Sequence, residues 1–249
     1  MTNTISLITG STRGIGYATA LALAARGSDI ILNSRNADER AGIVQAAVEA
    51  LGVNAIHIPT DVSDPEALVS LVQGAWDWQG QVDLWVNNAG ADILSGPKWR
   101  DPWEKRLDQL VATDLWGTVR ASQWAGEKMQ GQGFGQIINI GWDQAEQGGV
   151  STKSGQLFSL VKGGIMAYTR SLAQALAPDV RVNCIAPGWI ETEWGERIGD
   201  GLYEHTKNQI PLGRWGTPND VANTIVWLAS PEASYITGHT MYVNGGLPT

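Results

Sequence analysis

The chain has 249 residues, a formal net charge of −8 at pH 7 and a sequence pI of about 4.8, a size that suits one α/β domain with a full core. Its acidity and the lack of any Lys/Arg run argue against nucleic acid or an anionic membrane as a partner. No apolar run approaches the roughly 18 residues that a membrane span needs. The single cysteine, Cys184, lies in an apolar run, and an apolar segment begins at Ile5. We therefore expect a cytoplasmic protein without a signal peptide.

Short apolar segments alternate with segments of helical spacing along the whole sequence. The predicted strands are Ile5–Thr9, Asp29–Ser34, Ala55–Thr60, Val82–Asn87, Gln136–Gly141, Arg181–Ala186 and His239–Asn244. The predicted helices are Gly14–Arg26, Asp38–Leu51, Pro65–Trp78, Trp103–Met129, Leu157–Leu176 and Pro218–Leu228. This alternation is typical of a parallel sheet covered by helices on both faces. We predict a three-layer αβα Rossmann fold with a seven-stranded parallel sheet, residues 1–249 forming a single domain.

The first predicted strand runs directly into a glycine-rich turn that opens a helix. Such a turn lets the backbone approach a pyrophosphate, and the helix N-terminus offers free N–H groups and a positive dipole end. The alternative is a tight turn that binds nothing. The residues we expect to contact the dinucleotide here are Gly10, Ser11, Arg13, Gly14, Ile15 and Gly16.

The second predicted strand ends on Asn33-Ser34-Arg35, where an NAD-binding protein of this fold would carry an acidic residue for the ribose hydroxyls. Arg35 can clamp a 2′-phosphate with its planar guanidinium, and Arg13 can reach the same group from the glycine turn. We therefore expect NADP(H) rather than NAD(H) as cofactor, bound in part by Asn33, Ser34 and Arg35. The alternative is that both arginines are solvated surface residues.

Further short motifs follow in a fixed order. They are Asp61-Val62, Asn87-Asn88-Ala89-Gly90, Lys162, Pro187-Gly188-Trp189-Ile190-Glu191-Thr192, Ile236-Thr237-Gly238 and Val243-Asn244-Gly245-Gly246. With the glycine turn, their order and spacing resemble the short-chain dehydrogenase/reductase family over essentially the whole chain. The nearest likeness is to its 3-oxoacyl-carrier-protein reductase branch.

The resemblance implies a complete nucleotide site. Asp61 would meet the adenine amino group with Val62 beside the ring, and Asn88, Ala89 and Gly90 would line the adenine ribose. Lys162 would bind the nicotinamide ribose hydroxyls. The residues that would hold the nicotinamide are Pro187, Gly188, Ile190 and Thr192.

The resemblance also implies an altered catalytic centre. The family uses an asparagine, a serine and a tyrosine four residues before the lysine; alignment places Asp114, Trp142 and Phe158 at those positions. Phe158 and Lys162 share a helix face, but phenylalanine has no proton to give, and an indole N–H is a donor without useful acidity. Since carbonyl reduction needs a proton on the developing alkoxide, the family's standard mechanism cannot be transferred to this chain.

A carboxyl group is the candidate replacement. Asp143 follows the serine position, and Asp114 can pair with Lys162 directly or through water. A carboxyl beside Trp142 and Phe158 would have a raised pKa and could act as the acid. The candidate catalytic residues are Lys162, Asp143 and Asp114; the alternative is that Asp114 only neutralises the ammonium and Asp143 caps a loop. His57, His205 and His239 are scattered, so no metal site is expected.

Aromatic residues crowd the regions where the resemblance places the substrate. Trp142, Trp189, Trp194 and Trp215 fall after strands or near a segment, about 191–210, that we expect to form a small lid. We therefore expect a small apolar or aromatic substrate. The tryptophans expected in the core or at subunit contacts are Trp76, Trp78, Trp85, Trp103, Trp116, Trp124 and Trp227.

Subunit contacts are also expected from the resemblance, because the family pairs subunits through two long helices. The apolar stripe offered for that contact consists of Trp103, Leu107, Leu110, Val111 and Trp116, and a homotetramer or homodimer is expected.

Three hypotheses for function remain open. The favoured one is an NADP(H)-dependent oxidoreductase with a displaced proton donor. The others are a non-catalytic NADP-binding regulatory or structural protein of the same fold, and a lyase or dehydratase without redox chemistry.

Overall fold

A computed structural model describes residues 4–93, 98, 100–147, 151–192 and 200–248. Its strands form one parallel sheet in the order β3-β2-β1-β4-β5-β6-β7. This confirms the predicted seven-stranded Rossmann-like sheet. The strands are β1 (Ile5–Ile8), β2 (Asp29–Leu32), β3 (Ala55–His57), β4 (Leu84–Asn87), β5 (Gly135–Ile140), β6 (Val180–Pro187) and β7 (Thr240–Val243).

Several helices begin after a residue whose side chain accepts a hydrogen bond from one of their free N–H groups. Asp64 caps the third helix and Thr217 the last, where Asp220 completes a capping box; each such cap is worth about 1 kcal/mol. The helices are α1 (Gly14–Ala24), α2 (Glu39–Glu49), α3 (Pro65–Gln79), α4 (Trp103–Leu110), α5 (Gly117–Gln132), α6 (Lys153–Leu176), α7 (Asp200–Lys207) and α8 (Pro218–Ala229).

Two predicted helices differ from those observed. The predicted helix Trp103–Met129 is α4 and α5 joined by a π-helical turn, Val111–Trp116, a feature that often marks a functional site. The predicted start at Leu157 is wrong: α6 begins at Lys153, because the Thr152 side chain accepts a hydrogen bond from the backbone N–H of Gly155 and caps the helix there.

Several predicted strands also end too late. The second strand was expected to reach Ser34 but ends at Leu32, because the backbone N–H of Asn33 bonds to the Ser11 hydroxyl instead of continuing the ladder. The third ends at His57 rather than Thr60. Sheet pairing therefore stops where the chain turns toward the candidate site.

The core lies on both faces of the sheet. On one face α3, α5 and α6 cover a cluster that includes the stacked rings of Trp76 and Trp85, whose centroids are 6.4 Å apart. On the other face α1, α2 and α8 cover the second cluster. The expectation that Trp76 and Trp85 lie in the core is met, since both are buried.

A third apolar cluster changes the interpretation of the predicted subunit stripe. Leu110 is fully buried, and Leu107 and Val111 pack with it against Leu157 and Val161 of α6. These three stripe residues therefore serve the chain's own packing rather than a subunit contact. Only Trp103 and Trp116 of the stripe are exposed, to 39% and 47%.

Within the described residues, none of the helices combines the length and apolar character that crossing a membrane would require.

Candidate active site

The predicted site residues gather at the carboxyl edge of the sheet. The strand order reverses between β1 and β4, which lie side by side. In open α/β sheets such a switch point forms the crevice where ligands bind. The segments after β1, β2, β4, β5 and β6 all leave the sheet at this edge.

The glycine turn after β1 is tightly held by the turn after β4. A Cβ on Gly16 would collide with the carbonyl oxygen of Gly10, and Gly10 itself has φ +64°. The Asn88 amide donates to the carbonyls of Thr9, at 2.9 Å, and Gly10, at 3.1 Å. Glycine is therefore required at both positions, and the turn is fixed in place.

The mouth of the glycine turn faces the segment after β6. Gly14 has φ +52°, and a Cβ there would lie 3.6 Å from the Thr192 methyl carbon. Gly14, Ile15 and Gly16 open α1, and the exposed Arg13 precedes them as N-cap without a side-chain cap bond. The chain thus presents a helix N-terminus with no acidic residue in its first turn, as a bound pyrophosphate requires.

Ser11 and Asn33 do not point into this crevice. The Ser11 hydroxyl bonds to the backbone of Asn33, and the Asn33 amide donates to the carbonyls of Ile58 and Thr60. Both residues are buried. Their side chains position the ends of β1, β2 and β3 and are not offered to a ligand in this structure.

Arg35 and Asp61 form an ion pair at the outer end of the crevice. Arg35 Nε lies 3.1 Å from Asp61 Oδ2. Burial raises the pKa of the Asp61 carboxyl, but hydrogen bonds from Ser63 and the charge of Arg35 outweigh it, and the pKa lies below its usual value. Ser34 donates to the Asn36 carbonyl and bonds to His57 Nε2. Arg35 remains 55% exposed, so its guanidinium is accessible beside the strand-two end.

Val62 and the turn after β4 line the middle of the crevice. Val62 is buried, and its carbonyl oxygen lies 3.0 Å from where a Cβ on Gly117 would stand. The backbone N–H groups of Asn88 and Ala89 both donate to the Thr9 hydroxyl. A Cβ on Gly90 would lie 3.0 Å from Asp114 Oδ2, so this turn also packs against the candidate catalytic residues.

Lys162 and Asp114 form a buried ion pair. Lys162 Nζ lies 3.0 Å from Asp114 Oδ2, with side chains 12% and 2% exposed. The other oxygen, Asp114 Oδ1, accepts a 2.7 Å bond from the Ala91 backbone N–H. Lys162 also donates to the Ile140 carbonyl at 3.2 Å. The pairing is therefore direct, and the π-helical turn that contains Asp114 brings it to α6.

Trp142 and Phe158 meet beside this pair. Their ring centroids are 6.1 Å apart, with 62° between the planes, the edge-to-face contact that aromatic pairs favour. Both side chains are half-buried. Two positions sixteen residues apart in the sequence are thus neighbours, and together they present aromatic rings without an acidic group.

Asp143, the residue after Trp142, is buried against the segments that follow β6 and β7. Its backbone N–H donates to the Pro187 carbonyl, and its Oδ2 accepts a 3.3 Å bond from the Asn244 amide. The side chain is buried, and Oδ1 has no hydrogen-bond partner among the described residues. Burial raises its pKa to about 6, although hydrogen bonds from Asn244 and backbone amides oppose the shift.

The segment after β6 is held against the end of β7. The backbone N–H of Gly188 donates to the Val243 carbonyl, and a Cβ on Gly188 would stand 2.9 Å from Asn244 Cα and 3.1 Å from Asp143 Oδ2. Pro187 and Ile190 are buried, while Gly188 and Thr192 are half-buried. The backbone here thus has no room for a side chain at Gly188.

Three aromatic rings stand next to this segment. Trp215 lies between Trp189 and Tyr203, with centroid distances of 5.2 and 5.0 Å. Trp215 is only 1% exposed, and its indole N–H donates to the Thr206 hydroxyl. The expectation that Trp215 lines the pocket is therefore wrong, since the ring anchors α7 from inside. Trp194 lies outside the described residues, as does 193–199 of the predicted lid.

No cluster of three or more potential metal ligands occurs in the described part of the chain.

Comparison with known proteins identifies the family to which the chain belongs. The family model described as enoyl-(acyl carrier protein) reductase matches residues 10–248. The 3-oxoacyl-[acyl-carrier-protein] reductase FabG of Aquifex aeolicus is 36% identical over 247 residues, covering 98% of this chain and 96% of that protein. The chain belongs to the short-chain dehydrogenase/reductase family. Within it, the sequence falls in the FabG-like branch.

Other members of the family agree. The short-chain reductase protein NovJ of Streptomyces niveus is 37% identical over 254 residues, covering 98% of this chain and 94% of NovJ. A short-chain dehydrogenase/reductase from Serratia marcescens, solved as a double variant, superposes with a TM-score of 0.89 at 30% identity, covering 99% of this chain and 98% of that one. These relatives are named as reductases or dehydrogenases, and membership of their family supports an oxidoreductase with a nicotinamide cofactor.

Some contacts of the candidate site residues in this chain were not predicted from the sequence. No sequence pattern indicates that the Ala91 backbone N–H donates to Asp114 or that the Asn244 amide donates to Asp143. Tyr203, whose hydroxyl donates to Glu191 at 3.0 Å, falls within the predicted lid but was not singled out. Each depends on how distant segments come together.

Proposed function

We propose that this protein is an NADP(H)-dependent oxidoreductase that acts on a small apolar or aromatic substrate through an atypical active site. The observation that carries the proposal is the edge-to-face contact of Trp142 and Phe158 beside the Lys162–Asp114 pair. By alignment with the family, these residues replace its serine, tyrosine and asparagine, while the lysine and the nicotinamide segment remain.

The cofactor residues fit the proposed nucleotide. Gly10 and Gly16 leave a cradle that a Cβ would fill, and α1 points its N-terminus toward the segment after β6. Arg35, with Arg13 in the turn, would hold a 2′-phosphate. A bound nicotinamide supplies or accepts hydride. Lys162 would bind its ribose, and Pro187, Gly188, Ile190 and Thr192 would hold the ring; Asp61, Val62, Asn88, Ala89 and Gly90 would line the adenine half.

The atypical residues limit what the site can do with a proton. Trp142 and Phe158 present no acidic group to a substrate oxygen. Lys162 is already bound to Asp114 and to the Ile140 carbonyl. Either Asp143, the residue after Trp142, supplies the proton, or the substrate does not need one. Loss of a general acid normally costs about 10²- to 10⁴-fold in rate, so ordinary ketones should be poor substrates.

Assembly and location complete the proposal. We propose a homotetramer or homodimer, because Trp103 and Trp116 remain exposed on the helices that were expected to pair, and a lid near 191–210. The acidic composition and the single buried thiol fit the cytoplasm.

The proposal is tested in two steps. Calorimetric titration should show NADPH binding at least tenfold tighter than NADH, a difference of about 1.4 kcal/mol, and Arg35→Gln should remove that preference while leaving NADH affinity unchanged. Mass spectrometry should then detect deuterium transferred from NADPH labelled at the nicotinamide C4 into the product of a carbonyl and imine panel.

Three outcomes decide against the proposal. NADPH that does not bind removes it outright. Binding without transfer to any panel member favours the non-catalytic or lyase alternative. Brisk reduction of ordinary β-keto esters by the wild type would refute the atypical site. In support, Phe158→Tyr combined with Trp142→Ser should raise ketone reduction measurably, because it returns the missing donors.

A further inference from the structure

We propose that the substrate of this site is an organic cation with a C=N⁺ bond, an iminium ion, which the protein reduces to a neutral amine. The inference rests on the proposed oxidoreductase function and names its substrate class. Its basis is a reaction surface without an acidic group, an ammonium that is already paired with a carboxylate, and a buried carboxyl group that follows Trp142 in the chain.

Iminium reduction removes the need for the missing acid. When hydride from the reduced nicotinamide reaches the iminium carbon, a C–H bond forms and the C=N π electrons move onto nitrogen. The cation becomes a neutral amine, and no proton has to be supplied. A ketone would instead leave an alkoxide that must be stabilised and protonated, and Trp142 and Phe158 offer no acid for that.

The charges around the reaction surface favour a cation. The charges of Lys162 and Asp114 cancel, because Lys162 Nζ lies 3.0 Å from Asp114 Oδ2. The lysine therefore does not repel a positive substrate as an unpaired ammonium would. Asp143 adds a negative charge that is not balanced by a second cation: burial, and no charged group, is the main cause of its raised pKa of about 6. Above that pH the described part of the site therefore carries a net negative charge.

Asp143 would act on a substrate through its charge, without touching it. It follows Trp142 in the chain, and its Oδ2 lies 3.1 Å from the Cβ position of Gly188. Between buried groups the charge is weakly screened by solvent. A carboxylate here costs folding free energy, since Oδ1 has no partner among the described residues. A carboxylate that is kept despite such a loss of folding free energy is typical of functional sites.

The aromatic rings supply the remaining stabilisation. Trp142 and Phe158 form the near surface, and Trp189 and Tyr203 flank the segment after β6, where Tyr203 bonds to Glu191. A cation over an aromatic face is attracted by the negative charge of the ring's π system. The faces of these rings carry partial negative charge and would not stabilise an alkoxide placed over them.

A binding measurement tests the charge preference without chemistry. We expect the NADPH complex to bind the non-reducible cation N,N-dimethyl-1,2,3,4-tetrahydroisoquinolinium at least tenfold tighter than the neutral ketone 1-tetralone at pH 8, by calorimetry. Asp143→Asn should reduce that preference to less than threefold. Asp179→Asn, an exposed carboxylate preceding β6 at the opposite edge of the sheet, should keep it.

A kinetic measurement tests the reaction. N-methyl-3,4-dihydroisoquinolinium should be reduced by NADPH to N-methyl-1,2,3,4-tetrahydroisoquinoline, with 1-tetralone reduced at least 10²-fold more slowly. In the wild type, kcat/KM for the iminium ion should rise as the pH increases through about 6, because an ionised Asp143 is required. If Asp143 instead acted as a proton donor, reduction of the ketone 1-tetralone would slow over the same pH range, because the ketone needs the acid and the iminium ion does not.

The outcomes separate this inference from the proposed function. Failure to bind NADPH removes both. Bound NADPH with deuterium transfer only to neutral carbonyls overturns the iminium inference and leaves the oxidoreductase in place. Equal affinity for the cation and the ketone, or an iminium rate that falls with pH through 6, also overturns it.

Discussion

Burial of a carboxyl group without a charged partner raises the free energy of its ionised form. Asp143 shows this at the residue scale: its side chain is buried, its pKa is raised to about 6, and only the Asn244 amide and backbone N–H groups oppose the shift. Such a residue weakens the folded state at neutral pH. Its presence in the wall of the site is therefore better explained by chemistry than by folding.

The pH dependence of stability follows from that shift. Asp143 ionises near the ordinary aspartate pKa of 3.8 in the unfolded chain and near 6 in the folded chain. Between these values the native state binds more protons, so this residue lowers the free energy of unfolding as the pH rises from about 4 to 6. Asp143→Asn should therefore raise the free energy of unfolding at pH 8 by on the order of 2–3 kcal/mol.

Urea denaturation of both proteins at pH 4.5 and pH 8 measures this effect. The gain should shrink to below about 1 kcal/mol at pH 4.5, because the wild-type carboxyl is then protonated in the folded state. Asp179→Asn serves as the control and should change neither value by more than about 0.5 kcal/mol. An Asp143→Asn variant that is less stable at pH 8 would show that the carboxylate is satisfied in the folded protein.

At the scale of elements, the Lys162–Asp114 pair joins α6 to the π-helical turn before α5. Asp114 also holds the Ala91 backbone N–H, so the turn after β4 is tied to the same point. Removing one partner leaves a buried charge unpaired, which typically costs about 3–5 kcal/mol, whereas removing both leaves none. The pair thus fixes three elements around the proposed catalytic surface.

A double-mutant cycle tests this coupling. Asp114→Ala and Lys162→Met should each lower the free energy of unfolding by about 3–5 kcal/mol, and the double variant should lose at least about 1 kcal/mol less than their sum. Chemical denaturation at pH 7 provides the values. Strict additivity would mean that the two charges do not interact in solution.

At the scale of the whole molecule, exposed aromatic and aliphatic side chains remain on the long helices. Trp103, Trp116 and Leu160 are 39%, 47% and 60% exposed. Large apolar side chains such as Val69, Trp227 and Tyr235 are exposed elsewhere as well, so exposure alone does not mark an interface. The proposed subunit contact depends on the position of these three residues on or beside the helices that are expected to pair.

Light scattering measures the proposed assembly. The wild type should be a dimer or tetramer at micromolar concentration, and Leu160→Glu should shift it toward monomer, because a charge at a buried interface is strongly disfavoured. Val69→Glu, on the equally exposed face of α3, is the matched control and should leave the mass unchanged. A monomeric wild type would contradict the proposal.

The sequence by itself determined the Rossmann-like sheet, the order of its elements and the glycine turn. These features depend on local patterns: apolar strands, helical spacing and glycines that no other residue can replace. It also placed Lys162 and Phe158 on one helix face, since residues four apart always share a face.

Only the tertiary structure decided which side chains meet and which are buried. The contact of Trp142 with Phe158, the bond of Asn244 to Asp143 and the burial of Trp215 each join segments far apart in sequence. The end of β2 was also mispredicted, because the backbone N–H of Asn33 bonds to the Ser11 hydroxyl instead of continuing the sheet pairing. Local patterns set the elements, whereas long-range packing sets the partners and the dielectric surroundings of each charge.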